Sequence, residues 1–177
     1  MNLRVREKED VDFLVEHRND INRMGEYWWT MEQRSKSEWL KRFDSPSNLE
    51  ILLEPKFFII QKKDGTRIGE IYHFLDLPHG LMELGCWLVP SERKKGYATE
   101  ATELMVDYLF LSKEIARIQA IVDVRNKASQ RTLEKTGFKR EGTIRDESFE
   151  RGEWKDTYLY SILRREWKEP RILTRTT

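Results

Sequence analysis

Arg93, Lys94, Lys95, Gly96, Tyr97 and Ala98 follow one another with the residue types and spacing of an anion cradle. Three cations supply full charge. Gly96 lets the backbone approach a ligand with no Cβ in the way, and Ala98 is nearly as small. The segment that follows has helical spacing. The first turn of a helix leaves N–H groups unpaired, and the helix dipole concentrates partial positive charge there. Two linked phosphates fit such a cradle. The run is not a P-loop, because no Gly-Lys-Ser/Thr follows, and it is not the Gly-x-Gly-x-x-Gly dinucleotide fingerprint. A basic strand–loop–helix also occurs in α/β proteins that bind nothing, so the rest of the chain has to decide.

The elements that position this run are readable on both sides. An apolar strand from Leu84 to Val89 enters it and is stopped by Pro90, and a helix over 98–112 leaves it. On that helix Ala101, Leu104, Met105, Tyr108 and Leu111 share a face, the expected core side. Upstream, Asn2 to Arg6 alternates as a short strand. Asp10 opens a helix through Asn19, with Val11, Leu14, Val15 and Arg18 on one face and the arginine snorkelling at its end. Ser37 is placed to cap a helix carrying Trp39, Leu40 and Phe43. Phe57–Ile60, then Arg67 to about Leu75, then the strand ending at Val89 are three strands joined by turns at Asp64-Gly65 and Pro78-His79-Gly80. That arrangement predicts an antiparallel meander. Downstream come a β-branched strand from Arg117 to Val124, a helix from Asn126 to Thr136 ended by Gly137, and two strands, 138–149 and 154–163, around a turn at Arg151-Gly152. The order β-α-α-β-β-β-α-β-α-β-β predicts an α/β (α+β) mixed sheet with helices on both faces. One domain over 1–167 is expected, followed by a basic tail, 168–177, with partial disorder from Arg164 onward.

The 177 residues suffice to bury a core. With 32 Lys and Arg against 31 Asp and Glu, the net charge of +1 gives nothing that steers the chain to nucleic acid. No apolar run approaches the ~20 residues needed to span a bilayer. The first residues, MNLRVREKEDVDF, lack a signal peptide's apolar centre. A cytoplasmic protein with no membrane partner is the expectation, and a homodimer is compatible with it. One cysteine, Cys86, makes no internal disulfide, and no Cys/His spacing suggests a metal.

Arg93-x-x-Gly96-x-Ala98 matches the pyrophosphate loop Q/R-x-x-G-x-G/A of the GNAT superfamily of acyl-CoA N-acyltransferases. Asn126-Lys-Ala-Ser129, followed by Glu134-Lys135-Thr-Gly137-Phe138, matches that family's next helix. Glu141-Gly142, Arg145 and the Gly152…Asp156…Tyr160 run match the last hairpin of its RimJ/RimL (ribosomal-protein N-terminal acetyltransferase) branch. The chain thus resembles this superfamily from Leu3 to about Trp167. The resemblance implies a GNAT fold with about seven strands and a splay between the fourth and fifth. It implies acetyl-CoA as co-substrate, with pantetheine lying between the splayed strands against the main chain of Leu88 and Val89. Backbone N–H groups from Lys94 through Lys95, Gly96, Tyr97 and Ala98 to Thr99 would hold the pyrophosphate with Arg93 adding charge at the mouth, Asn126 would bond the pantetheine arm, and Arg131 or Lys135 would reach the nucleotide end.

Acetyl transfer to an amine needs the amine deprotonated, the acyl oxygen stabilised and the thiolate released. Glu83 is the first candidate base. It lies on the strand where many relatives carry a carboxylate and alternates onto the face of Gly85 and Trp87; a lysine-paired strand glutamate is the alternative. Glu70 and Glu147 rank below it. Ser129 matches a serine near the CoA sulfur in RimL-like relatives, against an ordinary first-turn serine bonding the backbone. The tyrosine that many relatives carry one helical turn later is replaced here by Leu133, and the hairpin glutamate of RimL-like enzymes by Ser148. Trp28 and Trp29 fall in the segment covering the acceptor side, where they either cage an ammonium or pack. A protein N-terminus is the leading expected acceptor. A polyamine, amino sugar or aminoglycoside is the alternative, as is a CoA-binding module without turnover.

Overall fold

The computed structural model describes residues 1–20, 33–45, 55–76, 81–168 and 170. Seven strands form one sheet in the order β1-β2-β3-β4-β5-β7-β6: β1 Asn2–Val5, β2 Lys56–Gln61, β3 Arg67–Asp76, β4 Leu81–Leu88, β5 Arg117–Asp123, β6 Lys139–Glu150 and β7 Glu153–Leu163. Strands β1 to β4 pair antiparallel in chain order, so the expected meander is present. The fold is the expected GNAT arrangement.

Among the described residues four α-helices cover the sheet: α1 Val11–Arg18, α2 Lys36–Asp44, α3 Tyr97–Ser112 and α4 Lys127–Lys135. Alternation along β3 and β4 separates two faces. Glu70, Tyr72 and Phe74 pair with Trp87, Gly85 and Glu83. This face meets α1, where Phe13 stacks on Trp87 at 5.8 Å between ring centroids. The alternate residues, including His73, Leu84 and Leu88, face α3, whose Tyr108 ring stands 6.2 Å from that of His73.

Four local expectations are corrected. The α2 cap is Ser35, not Ser37: the Ser35 hydroxyl accepts from the Glu38 N–H, and Glu38 reaches back to the Ser35 N–H in a capping box. On α3 the buried face is Ala101, Thr102, Met105, Val106, Leu109 and Phe110, while Tyr108 and Leu111 are exposed. Arg164 does not begin a loose tail. Its guanidinium donates to the carbonyls of Phe110, Lys113 and Ile115, and the Trp167 indole donates to Asp107. Arg18 does not merely snorkel: its Nη1 stands 3.4 Å from Glu70 Oε2.

Candidate active site

The sheet opens where β4 meets β5. The two strands run parallel, and their register holds only Met82 against Ile118 and Glu83 against Gln119. β4 continues to Leu88 and β5 to Asp123 without facing each other in the ladder. Being parallel, they deliver the N-termini of the helices that follow, α3 and α4, to the same edge of the sheet. The result is a groove with two helix N-termini at its mouth, a setting that favours negative charge.

The loop at the first of these N-termini is shaped by its backbone. Pro90 opens a short 3₁₀ turn, Pro90–Glu92. Lys94 has φ 62 and Gly96 φ 89, so two left-handed residues bracket Lys95. Such alternation turns successive N–H groups inward as an anion-binding nest. The Glu100 N–H closes the first helical bond onto the Gly96 carbonyl. The N–H groups of Lys94 through Thr99 donate to no protein acceptor among the described residues. A Cβ on Gly96 would meet nothing within 4 Å, which leaves open space over the loop. The fit to a diphosphate is therefore good: donors are present, uncommitted and convergent.

The cations differ from the simple picture of three charges at the mouth. Arg93 Nε donates to the Leu88 carbonyl at 3.0 Å and straps the end of β4, and burial lowers the basicity of its guanidinium. Lys95 pairs with Glu92, which also binds Lys62. Of the two strand residues expected to offer main-chain partners, Val89 does not. Its N–H donates to Ile68 and its carbonyl accepts from Glu92. Alternation then turns the Leu88 amide away from β3 toward the groove.

On the far side, Asn126 caps α4 by accepting from the Ser129 N–H at 3.0 Å. The half-buried Ser129 keeps its hydroxyl uncommitted among the described residues, so the backbone-bonding alternative is not realised. Arg131 and Lys135 are exposed one turn apart on α4. Leu133 is core.

Glu83 stands at the vertex of the splay, 8% exposed, accepting from Gln119 Nε2 at 3.0 Å. Its neighbours on that face are Gly85 and Trp87, as alternation predicts. Glu70 is fully buried and committed to Arg6 Nη1 at 3.0 Å, Arg18 and the Trp87 indole at 3.1 Å, an arrangement for holding structure rather than moving protons. Trp28 and Trp29 lie outside the described residues, as does His79.

Two features escaped sequence reasoning. Glu150 is buried at the end of β6, and its Oε2 has no hydrogen-bond partner among the described residues. Burial, then the nearby Asp123, pushes its carboxyl above the usual range. For Glu147, burial and then Glu150 act in the same direction. Asp123 is itself held low by Arg125 although burial opposes this. Only spatial proximity reveals this cluster, since position 123 lies far from 147–150 in the chain. The second feature is Tyr72, whose ring lies across Gly85: a Cβ on Gly85 would stand 2.3 Å from the Tyr72 Cζ and 2.4 Å from its hydroxyl oxygen. A glycine inside a strand, opposite an aromatic, is a signal for such close approach.

Comparison with known proteins agrees with this geometry. Residues 1–139 match the family described as acetyltransferase (GNAT) domain. The uncharacterized N-acetyltransferase p20 of Bacillus licheniformis is 34% identical over 113 residues, 63% of this chain and 64% of that protein, so the match spans under two thirds of the relative's length. The spermidine N(1)-acetyltransferase of Escherichia coli (strain K12) is 26% identical over 93% of this chain and 87% of its own. The crystal structure of a Vibrio cholerae spermidine N-acetyltransferase in complex with CoA and spermine superposes with a TM-score of 0.81 at 24% identity, covering 93% of this chain and 96% of that one. Among the described residues no helix is long and apolar enough to cross a membrane, and no group of residues suited to a metal ion occurs.

Proposed function

This chain belongs to the GNAT acetyltransferase family, and from that premise we propose that it transfers an acetyl group from acetyl-CoA to the primary amine of a small molecule by direct attack in a ternary complex. The observation that carries the reading is the pair formed by the splayed β4–β5 groove and the uncommitted amides of Lys94 to Thr99 at its mouth. When bound, acetyl-CoA supplies an activated thioester, so that positioning contributes much of the acceleration. The loop amides hold the pyrophosphate, the Leu88 amide pairs with the pantetheine arm, and Asn126 and Ser129 line the opposite wall. Glu83, buried at the vertex, takes the proton from the acceptor ammonium directly or through water. The likeness to spermidine N(1)-acetyltransferase over nearly the whole chain supports a small-molecule amine over the protein N-terminus expected first.

A thiol-release assay with acetyl-CoA and a panel of polyamines, amino sugars, aminoglycosides and N-terminal peptides tests the proposal. Steady turnover on a small amine is expected, with Glu83→Gln lowering kcat far more than CoA affinity. Turnover confined to the peptides rejects the acceptor class. Tight CoA binding without turnover on any amine rejects the enzyme in favour of a binding module.

A further inference from the structure

Tyr72 occupies a place the reaction above leaves without a role. Its register partner on β4 is Gly85, two residues beyond Glu83, where the β4–β5 ladder has already ended. Gly85 thus lies in the open stretch of β4, which starts at Leu84. The tyrosine ring crosses over it because no Cβ stands there, and the hydroxyl oxygen comes within 2.4 Å of the place that Cβ would take. The aromatic side chain therefore carries its hydroxyl from β3 over β4 at Gly85, on the same face as Glu83. The hydroxyl has no hydrogen-bond partner among the described residues. Burial pushes it up to about 12, so it stays protonated, and able to donate, wherever the protein is folded.

We propose that the Tyr72 hydroxyl, laid across Gly85 at the start of the open groove, donates a hydrogen bond to the acyl oxygen of the thioester. The inference rests on the acetyl-transfer reading. The amine nitrogen forms a bond to the carbonyl carbon, and the π electrons move to the acyl oxygen. There the Tyr72 O–H stabilises the developing charge without giving up its proton. Collapse restores the carbonyl and breaks the carbon–sulfur bond; the electron pair leaves on the thiolate, which takes the nitrogen's remaining proton, Glu83 having already accepted the one the ammonium gave up. A fixed donor aimed at developing charge needs no reorganisation in the transition state, which is where such a group contributes most. A merely structural tyrosine, covering a strand glycine with its ring, would do so equally well as phenylalanine.

Two thioether analogues separate these roles without requiring turnover. Acetonyl-CoA keeps the carbonyl, and propyl-CoA lacks only that oxygen. By calorimetry the wild type is expected to bind acetonyl-CoA roughly 3- to 10-fold more tightly, the scale of one hydrogen bond. Tyr72→Phe should bring that ratio to about 1 while leaving propyl-CoA affinity within about 2-fold, and should lower kcat by on the order of 100-fold. Gly85→Ala keeps the hydroxyl but displaces the ring, and should lose the preference in the same way. A preference that survives in Tyr72→Phe overturns the assignment and leaves the acetyltransferase reading intact. A wild type that binds neither analogue overturns both.

Discussion

Two groups of polar residues on this sheet are treated in opposite ways. At Glu70 both carboxylate oxygens are engaged. Its carboxylate takes Arg6, Arg18 and the Trp87 indole, and the Arg6 guanidinium also lies 3.9 Å from the centre of the Phe57 ring. At the loop between β4 and α3, backbone donors from Lys94 to Thr99 are left without acceptors among the described residues. Both regions carry arginine or lysine, and both were candidates for chemistry when only residue types were known. Commitment distinguishes them. A buried charge with all its partners in place stabilises a geometry, whereas a row of donors facing open space awaits a ligand.

The largest expected effect comes from breaking the committed region. Glu70→Ala removes the one carboxylate shared by Arg6, Arg18 and Trp87, and should cost about 3–5 kcal/mol in urea denaturation, since it leaves cationic charge buried without its counterion. CoA affinity of the folded fraction should change less than about 2-fold. A variant that kept its stability but lost CoA binding would reverse the roles assigned to the two regions.

The converse change comes next. Gly96 has φ 89, a conformation that a β-branched residue enters only under strain. Gly96→Val should therefore disturb the nest while meeting nothing in the core, because the space over Gly96 is open. Losing one or two charge-assisted hydrogen bonds, each about 1.5–3 kcal/mol, raises the CoA Kd by roughly 10-fold or more. The unfolding midpoint should fall only modestly, by about 1–2 kcal/mol of left-handed strain. Calorimetry and denaturation on the same preparation read the two effects separately.

How far each region was legible follows from where its information resides. The loop is local: one glycine, a preceding proline and a following helix dictate its backbone, so six consecutive residues announce it. The element order was equally local, through turns such as Asp64-Gly65 and the Gly137 stop, where φ is 93. The phase of α3 was not, because its sequence is apolar on several sides and tertiary packing chose Val106, Leu109 and Phe110 over Leu111 and Tyr108. The splay is the place where Leu84–Leu88 and Ala120–Asp123 fail to pair, and absent hydrogen bonds leave no mark on residue types. The state of Val89 was hidden for the same reason, since only the β3–β4 register shows its N–H engaged by Ile68. Glu150 and Tyr72 depend on neighbours distant in sequence, Asp123 and Gly85.

His73 sharpens the comparison, because it is uncommitted and yet not a site. It is 2% exposed on the α3 face, and neither ring nitrogen has a hydrogen-bond partner among the described residues. Its neighbours are the rings of Phe58 and Tyr108. Unlike the loop amides it faces packed carbon rather than open space, so an unmade bond here is a cost and not an invitation. Burial, then the charges of Lys113 and Lys56, lowers its basicity to about 4. The folded protein therefore keeps His73 neutral while the unfolded chain protonates it below its ordinary value of about 6.5. The unfolded state binds more protons between those limits, so this contribution is intact above pH ~6.5, declines as pH falls toward ~4, and changes no further below that. Between pH 7 and pH 5 the loss should be about 2 kcal/mol. His73→Leu should flatten that part of the stability profile and leave CoA affinity unchanged. A profile as steep as wild type would place the acid sensitivity elsewhere, and a fall in CoA binding would mean that the α3 face communicates with the groove.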